Sequence, residues 1–197
     1  VGFDQDNNIY SNSSDYFINI NPLEIPLRIS TAASPTNPVT NYVDTYSYYD
    51  LHESDLINLV NGGQRWYGEI FDVELEKVFN FYVPDIISSA PVSFKTALAT
   101  NAKSSAGTKQ QYSVNGITLF SDVLPSVSSD YIQSTSSMTL SNPNSTIPFK
   151  VSITRNNPST LVYLDRILLN ARRKLKMNGS QFNFRDLESV GTGNVSE

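Results

Sequence analysis

The sequence predicts a mainly β protein: an antiparallel β-sandwich, jelly-roll-like, with one short helix. Three observations carry this. Short β-favouring runs recur along the whole chain. Several alternate apolar and polar residues with a period of two, the signature of a strand with one buried face. Turn chemistry, in the form of Pro, Gly and Asn, falls between the runs rather than inside them.

Taken in order, the runs are Tyr16 to Ile20, Leu27 to Ser30, Tyr42 to Tyr49, Val73 to Val83, Val92 to Ala99, Gln110 to Val114, Ile117 to Phe120 and Phe149 to Thr154. In "FKVSITR", Phe149, Val151 and Ile153 share one face and Lys150, Ser152 and Thr154 the other, as in a half-buried antiparallel strand. "SVNGITLF" reads as a hairpin, because Asn115-Gly116 suits a type I′ turn. The prolines, Pro148 included, are read as lying between strands. Two stretches read as exposed loops: residues 30 to 41, and the Ser/Asn-rich stretch 134 to 147. The short helix is placed near residues 53 to 60. There Leu56, Leu59 and Val60 stand at helical spacing, Ser54 supplies a cap and Gly62-Gly63 a stop. In "LVYLDRILLNARRKLKM", residues 161 to 177, propensity favours helix, whereas alternation favours strand.

The sandwich is expected to occupy residues 1–187, with 1–50 as a candidate small amino-terminal β subdomain and 188–197 as a linker or frayed tail. A chain of 197 residues buries roughly 70% of its unfolded surface and needs no covalent staple. It has none, since cysteine is absent, which excludes disulfides, thiolate metal sites and a cysteine nucleophile. With one histidine, the usual zinc cages cannot form within the chain either. No cofactor is expected. "DQDNN" offers the oxygens of Asp4 and Asp6, yet it lacks the glycine and closing glutamate of a calcium loop. Net charge −5 argues against nucleic acid as a partner. No apolar run is long enough for a transmembrane segment, and no signal peptide leads the chain. Because it starts with Val1, the chain is expected to be a processed product or a piece of something longer. Low charge, abundant Tyr and Phe and missing cysteine fit an extracytoplasmic bacterial protein.

The segment "DLHESDLINLVNGGQRWYGEIFD", residues 50 to 72, holds the single histidine and the single tryptophan. A catalytic reading would make His52 a general base, but no nucleophile elbow such as G-x-S-x-G is present. The structural reading has His52 bonded to backbone or water. Arg65-Trp66-Tyr67 reads either as a sugar-stacking platform or, more commonly, as aromatic plugs in a sandwich core.

Two stretches go beyond a generic sandwich. "HESDLINLVNGGQRWYGEIFD" resembles a stretch of the PorU family, the gingipain-type cysteine peptidases that serve as C-terminal signal peptidase or sortase of the Bacteroidetes type IX secretion system. His52, Glu53, Asp55, Asn58, Trp66, Gly68, Glu69 and Phe71 match, and Arg65 stands directly before the tryptophan. "YLDRILLNARRKLKMNGSQFNFRD" is similar to a second family stretch through Leu164, Asp165, Ile167, Asn170, Arg172, Arg173, Leu175, Gly179, Gln181, Phe184 and Arg185. "NNIYSNSSDYFINI" is similar to the family's entry strand.

The resemblance implies a strand rather than a helix at 161 to 176. It implies a region amino-terminal to a caspase-like peptidase domain, ending at "FRD" about where that domain begins. No catalytic residue carries over. His52, Glu53, Asp55, Arg65, Trp66, Gly68 and Glu69 are expected to be a structural signature. Arg172, Arg173, Gln181, Phe184 and Arg185 are expected to face the following domain, with Arg173 paired to a carboxylate within the chain, Arg185 to one across the joint, and Phe182 or Phe184 exposed. The implied partners are that peptidase domain and other type IX secretion components, and the implied place is the periplasm or outer-membrane surface. A carbohydrate-binding or adhesive module of an exported protein is the alternative reading.

Overall fold

The computed structural model describes residues 17–196 except 19, 21–22, 24, 26–29, 32, 34–35, 62–64, 104–106, 129, 187 and 192–194. Among these residues nine strands are formed: β1 (Thr45–Glu53), β2 (Ile70–Phe71), β3 (Glu76–Tyr82), β4 (Val92–Thr100), β5 (Lys109–Val114), β6 (Ile117–Val123), β7 (Ile132–Leu140), β8 (Thr146–Thr154) and β9 (Val162–Lys174). One sheet runs β1-β9-β4-β7, with β2 also paired to β9, and the other runs β3-β8-β5-β6. All strand pairings are antiparallel. Apart from the β1–β2 step and the β5–β6 hairpin, the chain changes sheet with each new strand. That order is a jelly roll.

The period-two patterns are what close it. β8 alternates along Ile147, Phe149, Val151 and Ile153, all buried, and β3 contributes Phe79 and Phe81 from the same sheet. They meet Phe94, Leu98, Leu164, Ile167 and Leu169 of the opposing sheet. Phe94 stacks on Phe149 at 4.4 Å and meets Phe81 edge-on at 6.1 Å, so one ring joins the two layers. Tyr112 continues the stack at 5.7 Å from Phe149 and donates its hydroxyl to Gln110 Oε1 at 2.8 Å. Burial pushes that hydroxyl up to about 12. The Asn115-Gly116 turn has both residues at positive φ, 50° and 80°, as a type I′ hairpin between β5 and β6 demands.

Three expectations are corrected. No helix occurs among the described residues, so the one placed near 53 to 60 is not formed. Glu53 still belongs to β1, and Leu56 N and Ile57 N donate to Tyr67 O at 2.9 and 2.8 Å while Tyr67 N returns to Ile57 O at 2.8 Å. These donors serve a strand-like bridge and not an i−4 ladder. In the Ser/Asn-rich stretch only residues 141–145 form a loop, since 134–140 belong to β7 and 146–147 to β8. Ser136, Met138 and Leu140 are buried on one face, and small hydroxyl side chains are tolerated on the other. Pro148 lies inside β8, opposite Asn80 of β3. β5 has already ended at Val114, opposite Phe149, so no donor is required of Pro148 on that side.

The stretch 161 to 176, open between helix and strand, contains the long β9 (Val162–Lys174). It is irregular in one place. Ala97 faces Arg166 while Leu98 faces Leu164, leaving Asp165 as an extra residue in a bulge. β1 starts before position 50 and belongs to the main sheet. Near the ends of the described chain, Thr40 N donates to Val195 O at 2.9 Å and Asn41 bridges Ser196, so this part of the expected tail is hydrogen-bonded to the sandwich entrance. Asp4, Asp6 and most of the two amino-terminal runs lie outside the described residues.

Candidate functional site

The two stretches singled out in the sequence meet in space. β2 pairs with the start of β9, with Ile70 opposite Tyr163 and Phe71 opposite Val162. The junction is extended by Gly68 N donating to Leu164 O at 2.7 Å and Leu164 N to Glu69 O at 2.9 Å. Gly68 sits there in close quarters. A Cβ would lie 3.0 Å from Ser54 O and 3.1 Å from Ser54 Cβ, so a larger side chain would need Ser54 to shift by a few tenths of an ångström.

His52 stands opposite Ile167 and so faces the inside of the sandwich at the edge of β1. Its ring lies 4.6 Å from Phe79, and Nε2 is 2.9 Å from Glu69 Oε1. The partner is therefore a carboxylate, not backbone or water. The second carboxylate oxygen, Oε2, is buried without a hydrogen-bond partner. The pair ties β1 to the segment leading into β2.

On the outer face of the same sheet a chain of polar groups runs from Arg65 inward. Arg65 Nη1 donates to Gln133 Oε1 at 2.6 Å, and Gln133 Nε2 donates to Asp165 Oδ2 at 2.8 Å. Arg166 Nη1 stands 3.7 Å from the same oxygen. The β9 bulge is what places Asp165 here. Burial pushes its carboxyl above the ordinary range, with Asp55 adding to the effect, despite the opposing pull of Arg166, Arg65 and Gln133. A carboxylate with a raised folded-state pKa favours folding when protonated and loses that contribution as pH rises through the raised value. Asp165→Asn, which keeps an acceptor for Gln133, is thus expected to gain melting temperature relative to wild type as pH is raised from about 4 towards 7. Thermal melts across that range check it. A difference that shrinks with rising pH would show that the two arginines outweigh the burial.

Beside this chain Tyr67 is buried with Tyr163 and Ala99, and Tyr131 completes the cluster edge-on to Tyr163 at 5.7 Å. Trp66 is not a core plug. The Ile57–Tyr67 bridge turns those two side chains down onto the sheet, and alternation turns Trp66 outward, 45% exposed. Asp55 is also exposed, while Glu53 lies in β1 at the edge of the sheet.

The basic end of β9 is largely satisfied within the chain. Arg172 Nη1 reaches Asp186 Oδ1 at 2.5 Å and Ser47 Oγ at 3.0 Å, and Nη2 reaches Glu188 Oε2 at 3.1 Å. Arg173 is buried and donates from Nε to Pro84 O at 2.6 Å, between the rings of Tyr46 and Tyr48. Among the described residues no ion pair to a carboxylate replaces these contacts, and β9 carries the side chain inward to an aromatic end of the sandwich. Gln181, Phe184 and Arg185 are exposed, Ser47 N donates to Arg185 O at 3.1 Å, and Phe182 rests 5.8 Å from Tyr46. Sequence reasoning missed Gln133, Tyr131 and Asp186. Only Asp186 had a signal, as the acid that follows the basic stretch directly after Arg185. Among the described residues no cluster of His, Asp and Glu could hold a metal ion, and no helix is long and apolar enough to cross a membrane.

No protein-family model and no curated protein sequence matches the chain. Among solved structures it is similar to dimeric latent PorU from Porphyromonas gingivalis, with a TM-score of 0.66 and 21% identity over 84% of this chain and 16% of that one. The carbohydrate-binding module CBM36 in complex with calcium and xylotriose gives a TM-score of 0.36 at 14% identity, over 61% of this chain and 96% of the module. CBM35 from Cellvibrio japonicus Abf62 gives 0.37 at 10%, over 67% and 99%. The fold is thus shared with a small part of PorU.

Proposed function

We propose that this chain is a non-catalytic accessory domain of a PorU-like, cell-surface cysteine peptidase of type IX secretion, and that it braces or positions the peptidase domain of the same polypeptide. The observation that carries the reading is the meeting of the two PorU-like stretches. Residues 52–71 and 163–185 are far apart in sequence, yet they bond to each other through β2, Gly68 and Glu69, in a fold shared with a part of PorU. Arg65, Gly68 and Glu69 act here as a structural joint, and Trp66 turns outward from it. With no cysteine in the chain and His52 committed to Glu69, peptide hydrolysis falls to the rest of the polypeptide. The place of work is extracytoplasmic, at the periplasm or outer-membrane surface.

Two measurements test this. The coding sequence that continues beyond Glu197 is expected to encode a gingipain-type domain with its own Cys and His, and an unrelated continuation overturns the reading. The purified chain is expected to give no turnover of peptide substrates. Turnover that survives purification and vanishes in His52→Ala would overturn its non-catalytic role.

The exposure of Trp66 favours a second reading, a carbohydrate-binding or adhesive module. It requires the fluorescence of Trp66 to shift on adding surface polysaccharide, and Trp66→Ala to abolish the shift with the fold intact.

A further inference from the structure

We infer, independently of the accessory-domain reading, that β7 is a strand-accepting edge and that a second copy of this chain pairs with it, antiparallel, about a twofold axis at Ser136. Among the described residues the sandwich has four edge strands: β1 and β7 in one sheet, β3 and β6 in the other. An open edge offers unpaired main-chain groups to any extended chain, and native proteins blunt it with inward-pointing charges. Three of the four edges are blunted in this way. Leu51 N, which points away from β9, donates to Asp50 Oδ1 at 2.9 Å, and Ser47 N on the same edge donates to Arg185 O at 3.1 Å. Val123 N, which points away from β5, donates to Asp122 Oδ1 at 2.7 Å. Asp50 stands opposite Leu169, Asp122 opposite Gln110, and Lys77 of β3 opposite Val151. Those three neighbours are buried between the sheets, so each charge is aimed at the inside of the sandwich.

β7 has no such device. Its sequence, IQSTSSMTL, holds no charge, proline or glycine. Asn101 N donates to Leu161 O, so the odd-numbered residues of β4 bond to β9 and the even-numbered ones to β7. The main chain of Gln133, Thr135, Ser137 and Thr139 is therefore turned outward, and no strand pairs with it among the described residues. The strand's own pattern selects the occupant. Paired with itself about Ser136, β7 sets Thr135 against Ser137 and Gln133 against Thr139 on the outer face, where hydroxyl and amide side chains suit one another. On the inner face Ile132 meets Leu140, which covers a side chain left 38% exposed in the single chain. Ser136 meets its own copy on the axis. Its hydroxyl is buried without a hydrogen-bond partner, near a Tyr112 hydroxyl that is committed to Gln110. The twofold brings a second hydroxyl to it at the spacing of a cross-strand pair. A net charge of −5 makes two copies repel at most approaches, whereas β7 sets no charge against its copy.

Sedimentation of the chain from about 1 μM to about 1 mM, the span of a modest interface, tests this together with amide hydrogen exchange. The mass is expected to rise from that of one chain to that of two and to stop there, because a twofold contact is closed. The amides of Thr135 and Ser137 are expected to exchange about tenfold or more slowly in the dimer. Two variants act on the contact from outside the fold. Ser137→Pro deletes an outward N–H that β4 does not use, and the double variant Thr135→Lys, Ser137→Lys sets like charges opposite each other. Both are expected to remain monomeric throughout and to melt as wild type does at the lowest concentration. A wild-type chain that is monomeric at the highest concentration overturns the proposal. A dimer that survives in either folded variant, or that slows exchange at β1, β3 or β6 instead, overturns it in favour of another surface. Growth beyond two chains overturns the twofold. Slow exchange of Thr135 and Ser137 that does not change with concentration assigns the edge to a segment of the same chain and overturns it as well.

Discussion

Phe94→Ala is expected to destabilise the chain by about 3–5 kcal/mol, the range for removing a large buried ring from a packed core. Phe94 is 1% exposed and lies on β4, yet its partners Phe149 and Phe81 belong to the opposite sheet. Removing it takes away transfer free energy and leaves a cavity at the point where the layers are joined. The neighbours cannot collapse into that cavity readily, because Phe149 is also held by Tyr112. In a chain of this size each kcal/mol moves the melting temperature by about 2–4 °C, so the loss is visible in a simple thermal or urea melt. Phe94→Leu should lose clearly less, since it refills most of the volume. An alanine variant within about 1 kcal/mol of wild type would mean that the sheets are not packed through this ring.

Arg173 is the second sensitive point, and the pattern across three substitutions is more informative than any one of them. Its side chain is 5% exposed, and no ion pair to a carboxylate is formed among the described residues. What holds it is the Pro84 carbonyl at 2.6 Å and the faces of Tyr48 and Tyr46, 4.9 and 5.7 Å from the guanidinium carbon. Its Nη2 is buried without a partner. Arg173→Ala removes the packing and frees the Pro84 carbonyl, at a cost of about 2–4 kcal/mol. Arg173→Met keeps most of the volume and removes an ion that is expensive to bury, so it should cost only about 1 kcal/mol or less. Arg173→Lys should fall between them, because an ammonium cannot stack flat between two rings while reaching the carbonyl. Urea denaturation of the three variants checks the order. Methionine proving as harmful as alanine would show that the charge, not the volume, is what this end of the sandwich needs.

The strands with strong alternation were legible in the sequence. β8, β3 and the β5–β6 turn follow from residues that have little alternative: a period of two can bury only one face, and Asn-Gly favours positive φ at both positions. β7 was not legible, because Ser, Thr and Gln carry no apolar period and become a strand only once β4 offers its edge. The helix expected near 53 to 60 failed for a related reason. Leu56, Leu59 and Val60 have helical spacing, but Tyr67 takes the backbone donors and the sheet beneath offers a seat for Ile57 and Leu59 instead.

At the candidate site the residues themselves were legible and their partners were not. His52, Glu69, Arg65 and Trp66 stood out as rare or clustered residue types. That His52 meets Glu69, that Arg65 reaches Asp165 through Gln133, and that Trp66 faces out while Tyr67 faces in are consequences of one backbone bridge and one bulge.

The sequence by itself determined that this is a β protein without disulfides or thiol chemistry, where its sharpest turn lies, and which two stretches set it apart. Tertiary structure decided which faces are inside. A pattern of side chains states how much must be buried, whereas register, bulges and the competition for backbone hydrogen bonds state against what, and these are settled only when distant strands pair.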